Sequence, residues 1–217
     1  MAIITLNNNS LSSVTSLPAA IETGSMVKLQ TQTVTGSTVA NVTFTSSVMT
    51  SDYLTFFLTG WLILDTNSQL HAYCYPSIDN GSNYNLDVSG SGEGRYRNIS
   101  NTNSGVHIDG GFPQASGDNR WCLASDGMYG DQSAMQGSLM FSGYIVNSPD
   151  YTKVRSSTYY GIGNRMYAAG TSNYHTMGQY VGATSFESGS AINNIKIQAS
   201  SGNIEIGSKF TLYGVTQ

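Results

Sequence analysis

The clearest structural signal in the chain is the stretch Ile195-Lys-Ile-Gln-Ala-Ser-Ser-Gly-Asn-Ile-Glu-Ile-Gly-Ser-Lys-Phe-Thr-Leu-Tyr-Gly-Val215. Ile195 and Ile197 alternate with polar residues, which is the pattern of a strand with one buried face. Phe210 and Leu212 repeat that alternation after the central Ser-Gly-Asn, a sequence that favours a turn. The stretch therefore predicts two antiparallel strands that bury the same face and join as a hairpin.

The same two-residue period recurs along most of the chain after Gly24. At the start of that region, Val27, Leu29 and Thr31 fall on one predicted strand face. Gly60 interrupts the longest apolar run and predicts a bend there, and no window shows the i, i+3, i+4, i+7 spacing of a helix. The chain is therefore predicted to be all-β, an antiparallel β-sandwich of the jelly-roll type. The further predicted strands are Val39 to Thr45, Tyr53 to Leu64, Leu70 to Tyr75, Trp121 to Ala124, Ser138 to Val146, Tyr159 to Ala168, His175 to Val181, Ile192 to Ala199 and Lys209 to Val215.

Charge and the distribution of apolar residues argue against nucleic-acid binding and against a membrane span. Of the 217 residues, 10% are charged and the formal net charge is −4, whereas an average domain has roughly 25% charged residues. The longest basic cluster, Arg95-Tyr96-Arg97, is too short for the surface with which a protein tracks nucleic-acid phosphates. The longest apolar run, Tyr53 to Leu64, is shorter than the roughly 18 residues of a membrane span and contains Thr55 and Thr59. We expect neither nucleic acid as a partner nor a membrane span.

Residues 1–25 differ in composition from the rest of the chain. They are polar and low in complexity, with isolated aliphatic side chains that cannot form a core of their own. We interpret them as an N-terminal attachment arm that becomes ordered on a neighbouring protein, followed by a β-sandwich domain over residues 26–217. The aliphatic residues of the arm are Leu6, Leu11, Val14 and Leu17.

No catalytic or metal-binding motif stands out in the sequence. His71, His107 and His175 are scattered, and no Gly-x-Ser-x-Gly elbow accompanies them. Cys74 and Cys122 are expected to be small reduced core residues, with a single disulfide between them as the alternative. We therefore predict a protein without enzymatic activity, metal ion or cofactor.

Four aspartates lie close together in sequence within glycine-rich segments, and turn chemistry accounts for most of them. Asp or Asn beside glycine is typical of tight turns, and Asn80-Gly81 predicts one. Loop carboxylates also suit calcium, but the spaced Asp-x-Asp-x-Asp loop is missing. The enzymatic alternative is a glycan depolymerase or esterase that uses Asp109, Asp118 or a serine together with His107. The four aspartates are Asp109, Asp118, Asp126 and Asp131.

Aromatic residues are dense within the polar, glycine-rich segments. Tyrosine offers a large contact area at a small entropic cost, which is typical of binding loops. The alternative is that most of these residues face the core with their hydroxyl groups at the surface. The strongest ligand candidate is the group Asp118, Asn119, Arg120 and Trp121, because carboxylate, amide, guanidinium and indole match sugar hydroxyls and pyranose faces. The aromatic residues of these segments are Tyr96, Phe112, Trp121, Tyr129, Tyr151, Tyr159, Tyr160, Tyr167 and Tyr174.

Both ends of the chain show a resemblance to a known group of proteins. The C-terminal stretch resembles the closing hairpin of many bacteriophage virion proteins, tail-fibre and head-decoration components whose chains end in a similar Ser-Gly-Asn turn and Leu-Tyr-Gly strand. The N-terminal Leu6-Asn-Asn-Asn-Ser-Leu-Ser-Ser-Val-Thr15 is similar to openings of structural proteins of marine and cyanobacterial phages. The resemblance implies a non-enzymatic β-sandwich module, commonly a homotrimer, that assembles with other virion proteins and is displayed on the virion.

Two functions follow as expectations. The first is a tail-fibre or receptor-binding component, attached by its arm, that presents tyrosine-rich loops to a host surface glycan. The alternative is a capsid decoration or cement protein, whose arm threads between capsid subunits and whose loops recognise nothing.

Overall fold

The part of the chain that the structure describes consists of β-strands and their connections. A computed structural model describes the backbone of residues 26–65, 69–84, 93–100, 106–107, 112–113, 120–129, 138–146, 156–169, 172–185 and 190–215, and the side chains of residues 26–65, 71–84, 120, 123, 138–146 and 190–215. The predicted all-β class is confirmed, and no helix able to cross a membrane occurs within these ranges. The predicted arm of residues 1–25, with Leu6, Leu11, Val14 and Leu17, lies outside them.

The described residues form thirteen strands in two antiparallel sheets. The strands are β1 (Met26–Thr33), β2 (Asn41–Phe44), β3 (Thr55–Ile63), β4 (Gln69–Ser77), β5 (Glu93–Ser100), β6 (Val106–His107), β7 (Phe112–Pro113), β8 (Trp121–Tyr129), β9 (Ser138–Val146), β10 (Ser156–Ala169), β11 (Ser172–Ser185), β12 (Asn194–Ala199) and β13 (Lys209–Val215). The larger sheet has nine strands in the order β1-β13-β3-β9-β10-β11-β5-β6, with β7 paired to β5, and the smaller has four in the order β2-β12-β4-β8. Each predicted strand overlaps one of these.

Eight of the strands have jelly-roll connectivity. Without β5–β7 and β10–β11, the sheets reduce to β1-β13-β3-β9 and β2-β12-β4-β8. The chain passes from one sheet to the other at every connection between these eight except β4 to β8, which are neighbours in the smaller sheet. This alternation is the double Greek key of a jelly roll. The predicted jelly-roll-like sandwich is therefore confirmed, and β10 and β11 extend the larger sheet beyond β9.

The hydrophobic core lies between the sheets and follows the two-residue period of the strands. Phe56 and Leu58 of β3 and Phe210 of β13 point inward and are at most 1% exposed. They belong to one buried cluster with Ile195 and Ile197 of the smaller sheet. Burial of each such side chain stabilises the fold by roughly 1.5–3 kcal/mol, so the alternation seen in the sequence is the main energetic signal for this fold.

Gly60 does not interrupt β3, where its position predicts a bend. The strand runs from Thr55 to Ile63 without interruption, and Gly60 keeps its pairing with both neighbouring strands. A Cβ atom at Gly60 would lie 2.6 Å from Phe141 Cε1 and 2.7 Å from Phe210 Cδ1. The glycine is required because two buried rings occupy the space in which a side chain would begin.

The predicted hairpin between β12 and β13 is wrong, although the residues it buries are correct. Ile195, Ile197, Phe210 and Leu212 are all buried. However, β12 pairs with β2 and β4, whereas β13 pairs with β1 and β3. Each strand has a partner on both sides within its own sheet, and residues 200–208 are long enough to cross the roughly 10 Å between packed sheets.

The connection between β12 and β13 closes one end of the sandwich. Ile204 is fully buried and forms backbone bridges with Val39 and Leu64, which lie after β1 and after β3 respectively. Asp65 accepts two hydrogen bonds from Asn203, one from the backbone N–H at 2.7 Å and one from the side-chain amide at 2.9 Å. Three connections therefore meet here, and we name this end of the sandwich the sealed end.

The first strand departs from the strict alternation predicted for it. A β-bulge between Lys28 and Gln30 shifts the register of β1 against β13. Leu29 packs against the core, whereas the Thr31 hydroxyl lies 3.1 Å from the hydroxyl of Thr211 on the outer face. The prediction that Leu29 and Thr31 share a face is wrong, because the extra residue of a bulge reverses the facing of those that follow it.

Candidate functional site

Aromatic and cationic side chains gather on the outer face of the smaller sheet. Alternate residues of β4 face the core, so His71, Tyr73 and Tyr75 lie on the outer face. Lys196 and Gln198 of β12 lie there too, and the strand register places them opposite Tyr75 and Tyr73 respectively. Two further residues come from connections beside the sheet. The resulting surface, which we name the tyrosine face, consists of His71, Tyr73, Tyr75, Tyr84, Arg120, Lys196 and Gln198.

Arg120 joins the tyrosine face from the position just before β8. Its Cζ atom lies 4.3 Å from the centroid of the Tyr73 ring, which is cation–π geometry. The His71 ring is 5.8 Å from the Tyr73 ring at an interplanar angle of 25°, and the Tyr75 ring is 6.0 Å away at 70°. Tyr73 is 9% exposed, so its neighbours hold the ring in a fixed orientation.

Lys196 makes a second cationic contact on the same face. Its Nζ atom lies 4.9 Å from the ring centroid of Tyr75 and 4.5 Å from that of Tyr84. Partial burial raises the pKa of Tyr84 above its ordinary value, while a hydrogen bond with the Thr43 side chain opposes that change. The Tyr84 phenol is therefore a neutral hydroxyl at physiological pH, able both to donate and to accept a hydrogen bond.

A hydrogen-bonded turn precedes Tyr84 and fixes where it enters the face. Asp79 accepts hydrogen bonds from the Ser77 hydroxyl at 2.7 Å, the Asn83 backbone N–H at 2.9 Å and the Asn83 side-chain amide at 2.6 Å. The bond from Ser77 is the largest of the effects that lower the pKa of Asp79 to about 2. Asn80-Gly81 has φ angles of 60° and 81°, which confirms the turn predicted there.

The structure describes one side chain of the ligand site predicted from the sequence. Arg120 lies on the tyrosine face, as stated above. Trp121 begins β8 and pairs with Cys74, but its side chain lies outside the described residues. Asp118 and Asn119 lie outside them as well. The predicted site therefore overlaps the tyrosine face at Arg120.

Sequence reasoning missed the remaining residues of the tyrosine face. The nine aromatic residues singled out from glycine-rich segments have no described side chains. A usable signal was present in His71-Ala-Tyr-Cys-Tyr75, where large polar aromatics alternate with small apolar residues along one strand. Lys196 offered no comparable signal, because its contact with Tyr75 depends on the pairing of β12 with β4.

The described side chains include one of the two cysteines and none of the named catalytic candidates of the sequence. In that part of the chain, no group of three His, Cys, Asp or Glu residues could hold a metal ion. Cys74 is a buried free thiol, so no disulfide joins it to Cys122, and burial raises the pKa of Cys74 to about 12. Such a thiol is not a nucleophile at neutral pH. The side chains of His107, Asp109 and Asp118 lie outside the described residues.

The tyrosine face has the chemistry of a binding surface. Aromatic rings provide flat apolar area, the guanidinium and ammonium groups attract negative charge, and Gln198 adds an amide that both donates and accepts hydrogen bonds. Five of these seven residues lie on the adjacent strands β4 and β12, and Tyr84 and Arg120 join them from connections beside the sheet. The fold and this face are assigned from connectivity and geometry alone, since no protein-family model, no curated protein and no solved structure matches the chain.

Proposed function

We propose that this chain is a non-enzymatic virion structural protein, a tail-fibre or receptor-binding component whose tyrosine face binds a host surface glycan. The observation that carries the proposal is the Arg120 guanidinium over Tyr73, beside Tyr75 and Lys196. The jelly roll supports it, since viral capsid domains and lectins use this architecture. Because a fold alone does not decide function, the virion location rests on the resemblance of the two chain ends to phage proteins.

The chemistry of the face indicates which glycans it would prefer. Pyranose rings present apolar faces that pack on aromatic side chains, and their hydroxyl groups pair with polar side chains at the margin. Arg120 and Lys196 place two positive charges on this face of a chain whose net charge is −4. A sugar that carries a carboxylate would form charge-assisted hydrogen bonds with them. We therefore expect acidic glycans to bind more tightly than neutral ones, and added salt to weaken binding.

Glycan binding by the full chain tests the proposal. A Tyr75→Ser, Lys196→Gln double variant removes one ring and one charge, and its affinity for isolated host polysaccharide should fall at least about tenfold. Ile206→Ser is the control, because it removes an apolar side chain that is 45% exposed in the connection between β12 and β13, outside the tyrosine face. Failure of the wild-type chain to bind host cells or to compete with phage adsorption would sink the proposal, as would an equal loss in the control.

Capsid decoration is the second candidate function. It is favoured by exposed apolar side chains on the larger sheet, such as Trp61 and Met140, which indicate a protein that assembles with others. Immunogold labelling of intact virions with an antibody against residues 26–217 separates the two functions. Gold at the tail supports receptor binding, and gold over the capsid supports decoration.

A further inference from the structure

The outer face of the larger sheet carries large apolar side chains that none of the residues described by the structure covers. Met140 is 67% exposed, Trp61 49% and Tyr144 46%. Single exposed apolar residues are normal on a protein surface, but a contiguous patch marks an interaction site. We name this surface the apolar face; it is centred on Phe57, Trp61, Met140, Tyr144 and Tyr213.

Strand register makes these side chains contiguous. Trp61 of β3 pairs with Met140 of β9, and Phe57 of β3 pairs with Tyr144 of β9 and Tyr213 of β13. The Phe57 ring centroid lies 4.9 Å from that of Tyr144 and 6.1 Å from that of Tyr213. The apolar face therefore contains two cross-strand rows of large side chains, which is the closest arrangement a sheet allows.

A row of hydroxyl groups separates the two apolar rows. Thr59 of β3 pairs with Ser142 on one side and with Thr211 on the other. Each hydroxyl can donate one hydrogen bond and accept others, so the row is complementary to a copy of itself. Lys209, beside Trp61, is the one charged residue among the outward positions that the structure describes on β3, β9 and β13.

We infer that the apolar face packs against the apolar face of a second copy of this chain. A two-fold axis through the hydroxyl row sets apolar row against apolar row and hydroxyl against hydroxyl, as an isologous interface requires. The two lysines described on the outward positions of this surface, Lys28 of β1 opposite Tyr213 and Lys209 of β13 opposite Trp61, both lie on the β1 side, so like charges do not meet at the centre. The surface spans five neighbouring strands, from β1 to β10, and four rows of residue pairs. With strands about 4.8 Å apart and outward residues about 6.8 Å apart along each strand, its area is about 650 Å². This area is slightly below the roughly 800 Å² that each partner contributes to a standard protein–protein interface.

The mass of the full chain in solution tests this inference. Analytical ultracentrifugation over a range of concentrations should give a mass that approaches twice the 23.2 kDa of one copy, whereas three times that mass, the homotrimer that the resemblance implies, would overturn the two-fold inference. Trp61→Lys should weaken self-association at least about 30-fold, the effect of removing a central tryptophan from an interface. Asn41→Lys is the matched control, because it adds the same charge to an exposed position of the smaller sheet and should leave the mass unchanged.

A second lysine variant guards against loss of folding. Met140 is 67% exposed, so Met140→Lys leaves the core intact and should dissociate the pair in the same way. A monomeric wild-type chain, or lysine variants that keep the wild-type mass, overturns the inference. The fluorescence of Trp61 can be observed alone in a Trp121→Phe variant. If that variant is a monomer and acrylamide does not quench Trp61, the inference is also overturned, because residues 1–25 of the same chain would then be assigned to the apolar face. Glycan binding does not enter the result, because the tyrosine face lies on the other sheet.

Discussion

Replacing Gly60 by alanine should destabilise the protein, although alanine is usually the better residue in a strand. The added Cβ would lie 2.6 Å from Phe141 and 2.7 Å from Phe210, both at most 4% exposed. Neither ring can move without disturbing its neighbours in the core, and overpacking of this kind costs about 1–3 kcal/mol. Loss of backbone freedom in the unfolded chain offsets about 0.4–1 kcal/mol of that cost.

Because the added Cβ would approach two rings closer than 3.0 Å, the overpacking cost falls in the upper part of its range, about 2–3 kcal/mol. The expected net change is a fall of about 1–2.6 kcal/mol in the free energy of unfolding, or about 2–10 °C in Tm for a chain of this size. Urea unfolding of Gly60→Ala beside the wild type measures it directly. Gly36→Ala is the control, because Gly36 has φ +77° and nothing within 4 Å of its would-be Cβ. It loses stability through the backbone alone, by about 1–2 kcal/mol.

A double-mutant cycle with Phe141→Leu separates the two causes. Trimming the ring opposite Gly60 should recover part of the loss in Gly60→Ala and none of the loss in Gly36→Ala. The reasoning predicts a sign as well as a size. If Gly60→Ala leaves the unfolding midpoint unchanged or raises it by the entropic contribution, the close approach of the two rings to Gly60 is refuted.

Three further predictions concern the sealed end, the Asp79 turn and the core thiol. The Ser208 hydroxyl accepts from the Ile63 N–H at 2.9 Å and donates to the Ile63 carbonyl at 3.3 Å, so Ser208→Ala should lower the free energy of urea unfolding by about 1–3 kcal/mol; an unchanged midpoint contradicts this. The pKa of Asp79 is about 2 in the folded state against an ordinary 3.8, so its stabilisation is present above about pH 4 and is lost as the pH falls toward 2. Asp79→Asn should be less stable at pH 6 and lose less on acidification, whereas equal acid sensitivity in both proteins speaks against the turn. In a Cys122→Ser variant, Cys74 should react with a thiol reagent at pH 8 only after unfolding, and rapid labelling of the native protein would show that it is accessible.

The positions of the strands and the residues they bury were predictable from local alternation of apolar and polar residues. Which strands pair was not predictable, because the partners are distant in sequence. Ile195, Ile197, Phe210 and Leu212 face the core as their spacing requires, because facing depends on the neighbours of each residue in sequence. The strands that pair with β12 and β13 are β1 to β4, which lie more than a hundred residues earlier in the chain. A turn-like sequence between two strands fits a hairpin and a crossing between sheets equally well.

The same distinction between local sequence and distant pairing holds for the candidate site. Arg120 was predicted because acid, amide, guanidinium and indole are adjacent in sequence. The ring beneath it belongs to Tyr73, and Lys196 lies over Tyr75 through the pairing of β12 with β4. Gly60 shows the same limit in the core, since the rings that exclude its side chain come from β9 and β13.

The end of the sandwich opposite the sealed end is where the two longest connections between strands of the roll begin and finish. Ser77 pairs there with Asn194 and Thr55 with Val146, so segments 78–120 and 147–193 both leave the roll and return to it at this pole. Segments grafted into the connections of either insertion, outside β5–β7 and β10–β11, would leave the eight paired strands in register, which makes this pole the place to exchange one binding specificity for another.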